Sequence, residues 1–143
     1  MSTKMIKDGV EYPIGVIPQN VIDDVTFLKN ASKYSTTEHK VGKWIDGSDL
    51  YEKTVDFGAL PNNTTKTVAH NITNLSKIVE IRGTAFNSSN GAIPLPLIVS
   101  STDVSDLAIN VSLNLTLTDV VIKCMTNRSA YNGYITIRYT KTS

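Results

Sequence analysis

The residues of this chain whose types and spacing could do chemistry gather in GKWIDGSDLYEKTVDF, Gly42 to Phe57. Asp46, Asp49, Glu52 and Asp56 fall there within eleven residues, beside Trp44 and Tyr51. Two carboxylates next to an aromatic ring on which a sugar stacks would be the constellation of a glycoside hydrolase, which needs its carboxyl groups about 5 to 9.5 Å apart. With Asp46 and Gly47 at the centre of a two-residue turn, VGKWI and SDLYEKTVDF become the arms of a hairpin. Asp49 then sides with Tyr51, Lys53, Val55 and Phe57, while Glu52 and Asp56 share the other face with Leu50 and Thr54. Four residues along a strand separate Glu52 from Asp56 by roughly 13 Å, too far for such a pair. The turn accounts for Asp46, and a strand face turned to water accounts for the other acids.

Other chemistry has less to stand on. His39 and His70 are far apart and in no metal-ligand spacing. The serines lie in no G-x-S-x-G elbow, and neither GxGxxG nor GxxxxGK[ST] occurs. The single cysteine, Cys124 in VVIKCM, excludes an intrachain disulfide and reads as a small buried hydrophobe. The residues give no reason to expect an enzyme, a metal or a cofactor. Among the aromatic residues Trp44, Tyr51, Tyr131 and Tyr134 are candidates for sugar stacking, Trp44 foremost, against the commoner use of such rings in a core or a subunit contact.

The elements that must position these residues follow from composition and periodicity. At 143 residues, 41% hydrophobic and 19% charged, the chain suits one folded domain. Lys plus Arg number 14 against 13 acids with no run of either sign, so no nucleic-acid partner is expected. The start, MSTKMIKDGVEYPIGV, has no signal-peptide apolar run and no segment approaches a membrane span, so neither secretion by that route nor membrane insertion is expected. Nine N-x-S/T sequons then read as Asn/Thr-rich composition rather than glycosylation sites.

Residues 1–33 read as an extended arm broken by Pro13, Gly15 and Pro18. Within it NVIDDVTFLKNA predicts a short helix, Asn20 capping, Asp23 and Asp24 at its positive end, and Val21, Val25 and Leu28 at i, i+4 and i+7. From about Ser35 onward the pattern is β. In SDLAINVSLNLTLTD, Leu107, Ile109, Val111, Leu113, Leu115 and Leu117 alternate with small polar residues. KIVEIRGTAF turns Val79 and Ile81 to one face, and GYITIRYTK turns Ile135, Ile137 and Tyr139. Asp46-Gly47, Pro61-Asn62-Asn63, Asn87 to Gly91 and Asn132-Gly133 read as turns. Seven or eight strands on short loops predict an all-β protein, an antiparallel, jelly-roll-like β-sandwich over residues 34–143.

YSTTEHKVGKWIDGSDLYEKTVDFGALPNNTTKTVAHNI, then IVEIRGTAFN and IPLP, and finally NRSAYNGYITIRYTKTS, carry a resemblance over residues 34–143. The chain resembles a domain frequent at the C-terminus of bacteriophage and prophage fibre or virion structural proteins. The resemblance implies a non-enzymatic virion component made in the bacterial host cytoplasm, a homotrimer of β-sandwich lobes displayed outward, with adsorption to a host glycan or protein as a role. It supplies no catalytic or binding residues to carry over. Such domains often follow a long shaft, whereas here some 33 residues precede it, which favours a short appendage. Its anchor on a capsid, neck or tail protein would be Tyr12, Pro13, Ile14, Val16, Ile17, Val21, Val25 and Leu28. The other course open to the arm is to pack on its own domain or fray. The loop Asn87, Ser88, Ser89 and Asn90 would be free for host contact. A second function class stays open: a carbohydrate-binding module, or a glycan hydrolase whose acids meet only across strands.

Overall fold

Alternating apolar and small polar residues fold most of this chain into strands, as a computed structural model describes it for residues 4–7, 9–13, 18–31, 33–98 and 110–143. In chain order the elements are β1 (Lys4–Lys7), β2 (Val10–Pro13), α1 (Gln19–Ala31), β3 (His39–Lys43), β4 (Asp49–Ala59), β5 (Thr65–Ala69), β6 (Leu75–Phe86), β7 (Ala92–Leu95), β8 (Val111–Leu115), β9 (Asp119–Cys124) and β10 (Asn132–Lys141). β1 and β2 pair as a separate hairpin. Eight strands form two sheets, β3-β4-β10-β6-β7 and β5-β9-β8, with every pairing antiparallel. The two sheets pack together, so the chain is an all-β sandwich.

The core lies between the sheets. Val55, Phe57, Ala85, Ile93, Leu95, Ile135, Ile137 and Tyr139 come from the larger sheet and Val111, Val120, Ile122 and Cys124 from the smaller. Cys124 is the small buried hydrophobe its context implied, and burial pushes its thiol pKa up against the lesser pull of the Arg128 charge. Lys66 on β5 ties the two sheets: its ammonium donates to the carbonyls of Phe57 (2.5 Å) and Ala59 (2.8 Å), on either side of Gly58, whose φ is +67°. His70 is fully buried and structural. Its Nδ1 accepts from the Ile72 N–H (3.1 Å), and with the proton on Nε2 the ring donates to the Thr116 carbonyl (3.3 Å).

Several sequence expectations are corrected. Asp46 and Gly47 do not make a two-residue turn. The loop runs from Trp44 to Ser48, closed by the Trp44 N–H on the Ser48 carbonyl (2.8 Å), and the Asp46 carboxylate takes the Ser48 N–H (2.9 Å). A hydrogen bond from the Ser48 side chain, then that from its N–H and a contact from Lys77, hold the Asp46 pKa down to about 2. The alternation ending at Leu117 overruns its strand. The Thr116 hydroxyl captures the N–H groups of Thr118 and Asp119, so the chain turns there and leaves Leu117 exposed at the tip. Leu107 and Ile109 lie outside the described residues. On β6 Ile78 and Ile81, not Val79 and Ile81, pack on the core, because the pairing with β10 shifts register between Arg138 and Tyr139.

Asn132-Gly133 is no turn either. It opens β10, where Gly133 is buried against β6 and a side chain would meet backbone. In α1 the Pro18 carbonyl takes the first helical bonds from Val21 and Ile22, so Asn20 falls in the first turn instead of capping, and Asp23 and Asp24 fall beyond it. The helix lies beside β3, an edge strand of the larger sheet. No helix among the described residues is long and apolar enough to cross a membrane.

Candidate functional site

The three middle strands of the larger sheet, β4, β10 and β6, set the side chains of its outer face in rows. Across them the register aligns Glu52, Arg138 and Glu80, then Thr54, Thr136 and Arg82, then Asp56, Tyr134 and Thr84. Beyond these, Asn132 stands opposite Phe86. One direction along the sheet therefore passes from charges through hydroxyls to rings. Strand parity produces this gradient without any special backbone, since each row repeats every second residue.

Glu52 corrects the expectation that the acids of this arm face water. It has 3% of its surface exposed. Its Oε2 accepts from Arg138 Nε at 2.7 Å and lies 3.4 Å from Arg82 Nη2. Glu80 meets the same two guanidinium groups at 3.5 and 3.4 Å. Two arginines and two carboxylates thus form a balanced set, in which the bond to Glu52 raises the Arg138 pKa. A buried carboxylate is retained here because its partners come from neighbouring strands, which the spacing of acids on one strand could not reveal.

Residues 34–36 run alongside β4, where the Ser35 carbonyl accepts from the Thr54 N–H at 2.8 Å. Their course closes one side of a groove of about 500 Å³ on the outer face. Tyr34 forms one wall, with the Arg82 guanidinium 5.4 Å from its ring centre. Phe86 and Tyr134 form the other, their ring centres 6.3 Å apart and planes at 26°. Thr54 and Thr136 lie at the bottom, their hydroxyls 3.1 Å apart.

The residues singled out from sequence fall mostly elsewhere. Trp44 is half-buried in the β3–β4 loop, away from the groove lining. Tyr51 stacks on Tyr139 in the interior, and Tyr131 packs on the core. Tyr134 alone of the four aromatic candidates reaches the groove. Asn87 spends its side-chain oxygen on the N–H groups of Ser89 (3.0 Å) and Gly91 (2.8 Å), shaping the β6–β7 loop, while Ser88, Ser89 and Asn90 are exposed at its tip. The loop follows Phe86 directly and so borders the groove. Among the anchor candidates, Ile14, Val16 and Ile17 lie outside the described residues, Tyr12 and Pro13 fall in β2, and Val21, Val25 and Leu28 are exposed on α1. Sequence reasoning missed Tyr34 and Phe86. Phe86 shares the parity of Arg82 and Thr84, a legible sign, whereas nothing local to Tyr34 announces where its segment lies.

A second polar cluster stands at the rim of the sheet. Glu38 accepts from the Tyr139 hydroxyl through Oε2 and pairs with Lys141 through Oε1 at 2.6 Å, while Lys141 sits 5.4 Å from the Tyr51 ring centre. Partial burial pushes the Glu38 pKa up, but the bonds from Lys141 and Tyr139 and the charges of Lys141 and Lys53 outweigh it, and the net shift is below the ordinary 4.5. Burial first, then the bond to Glu38, raises the Tyr139 pKa. A lowered carboxyl pKa contributes its full stability above the unfolded value and loses it as pH falls through the folded one. Wild type should therefore exceed Glu38→Gln in urea midpoint above about pH 4.5, and the gap should close progressively below it. A gap that is constant from pH 7 to pH 3 would rule out this ionic contribution.

Among the described residues no group of three or more His, Cys, Asp and Glu is placed to hold a metal ion. No family model, curated protein or solved structure matches this chain.

Proposed function

We propose that the chain is a non-enzymatic structural protein of a bacteriophage particle, a short fibre or appendage. Its N-terminal residues dock on a capsid, neck or tail protein, and its sandwich projects as a homotrimer toward the host surface. The observation that carries this reading is the face of α1. Val21, Ile22, Val25 and Leu28 are 43, 41, 47 and 66% exposed, so a 13-residue helix beside β3 leaves much of its apolar stripe uncovered by the described residues. A helix of that length holds together in water only when such a stripe is packed, so a second surface belongs there. The Val21, Val25, Leu28 spacing of four then three is that of a helix seam. It is too short to set a subunit number, and three is taken from the resemblance of residues 34–143 to virion fibre domains. Glu52 and Glu80 beside the groove support a role without catalysis, since each is held between two guanidinium groups.

Light scattering after size exclusion, on the full chain and on a version lacking residues 1–30, tests the reading. A mass of three chains for both would make the sandwich the trimerising unit and leave α1 for a virion partner. Three chains falling to one on deletion would assign the α1 face to sister helices. Monomers in both would sink the appendage reading. The groove favours a second reading in that event, a monomeric carbohydrate-binding module.

A further inference from the structure

We propose that the groove between Tyr34 and the Phe86–Tyr134 pair is a binding site for an uncharged pyranose of a cell-surface glycan. The inference rests on the attachment reading for its biological meaning, and on the geometry of the outer face for its chemistry. Three features of that face each select for such a ligand.

The walls come first. Phe86 and Tyr134 lie near parallel across adjacent strands and are both exposed, so they offer a continuous apolar ledge. Rings used for packing are covered, as Tyr51 and Tyr139 are on the opposite face of the same sheet. An exposed ledge opposite a third ring, Tyr34, suits a ligand with one apolar C–H face, which a pyranose has and a peptide backbone or phosphate lacks. The groove, about 500 Å³ and open along one side, has room for a mono- or disaccharide.

The bottom of the groove supplies the second feature. Thr54 and Thr136 share one hydrogen bond, which leaves one hydroxyl hydrogen and several lone pairs unused. Hydroxyls that both donate and accept match a polyol, whose own hydroxyls do the same. Arg82 adds donors, because its contacts with Glu52 and Glu80, at 3.4 and 3.5 Å, are long and leave much of its five-donor fork unsatisfied.

Charge decides between neutral and acidic sugars. Arg82 and Arg138 are balanced by Glu52 and Glu80 within the same cluster, so the groove carries no excess positive charge to attract a carboxylate or phosphate. An uncharged ring loses nothing by entering such a site, whereas an anion would have to compete with Glu80 and Glu52 for the same guanidinium.

The test is a two-dimensional amide NMR titration of the full chain with four probes: N,N′-diacetylchitobiose, lactose, maltotriose and galacturonic acid. At least one neutral probe should give saturable shifts at Tyr34, Thr84, Phe86, Tyr134 and Thr136, with a dissociation constant on the order of 1 mM, as fits a shallow site. Tyr134→Ala should weaken that binding about tenfold through loss of ring contact. Tyr34→Ala, on a segment outside the strands, should weaken it likewise and covers the case in which Tyr134→Ala disturbs the sheet. No saturable shift with any neutral probe, shifts centred on Trp44, binding of galacturonic acid alone, or full affinity in both variants would each overturn the proposal. So would groove signals that change with protein concentration and not with sugar, since a second copy would then occupy the face. The mass measurement reads independently: trimers without sugar shifts sink the groove alone, and monomers with them sink the appendage alone.

Discussion

Gly133→Ala is expected to lower the stability of the sandwich by about 3 kcal/mol or more, the upper end of what overpacking costs. A Cβ on Gly133 would stand 2.2 Å from the Thr84 carbonyl oxygen, 2.7 Å from Ala85 Cα and 2.9 Å from the Thr84 carbonyl carbon. All three are backbone atoms of β6, so no rotamer change relieves the clash; β6 and β10 would have to separate at the point where the larger sheet is centred. Gly58→Ala is the contrasting case. Its Cβ would have only Lys66 Nζ nearby, at 3.7 Å, and the cost comes from φ of +67°, about 1 to 2 kcal/mol. Urea unfolding followed by far-UV circular dichroism gives both values. Equal midpoints for the two variants would mean that β6 and β10 approach less closely than described. Against a total stability of about 5 to 15 kcal/mol, the Gly133 variant should be soluble only in part at 37 °C.

Arg138→Ala should have the next largest effect, about 3 kcal/mol, because it strips the 2.7 Å partner from a carboxylate with 3% of its surface exposed. Arg82 remains at 3.4 Å and keeps the loss at the lower end of the range for broken buried pairs, about 3 to 5 kcal/mol. Glu52→Gln should cost less, about 1.5 kcal/mol, since the arginines it abandons are partly exposed and can turn to water. Replacing both partners by apolar residues, Glu52→Leu with Arg138→Met, should recover most of the Arg138→Ala loss, because nothing charged is then left buried without a partner. Urea midpoints of wild type and these three variants at pH 7 give the three losses. A Glu52→Gln loss larger than that of Arg138→Ala would show that the guanidinium, not the carboxylate, suffers from isolation.

The legible and illegible parts of this fold divide by range. The strand character of residues 75–86 and 132–141 could be read from their alternation, and the sandwich from the number of such runs. So could the parity that puts Glu52, Thr54 and Asp56 on one face of β4. What that face meets was not legible. Arg138 stands 86 residues from Glu52 along the chain, and the Tyr34 segment reaches the groove by its path beside β4. Local chemistry misled in two places. Asn132-Gly133 carries the composition of a turn, yet the glycine is needed for close strand approach; and the Thr116 hydroxyl ends β8 within a run whose alternation continues to Leu117. Both depend on neighbours that a single segment does not name. The site was half legible: Tyr134 and Arg82 lie on recognisable strands, while the surface that gathers them with Tyr34 is tertiary.

The place of β10 in the sheet order bears on how the protein is made. β10 is last in chain order of the ten strands among the described residues, and it fills the slot between β4 and β6. On a ribosome, the β3–β4 and β6–β7 hairpins emerge early, each with one edge bare and no partner yet synthesised. Their closure waits on contacts of long sequence separation, which makes folding slow and exposes the nascent chain to its neighbours on the same messenger. A β10 from an adjacent polypeptide fits that slot as well as the chain's own. Strand exchange between nascent chains is thus a direct hazard of this topology.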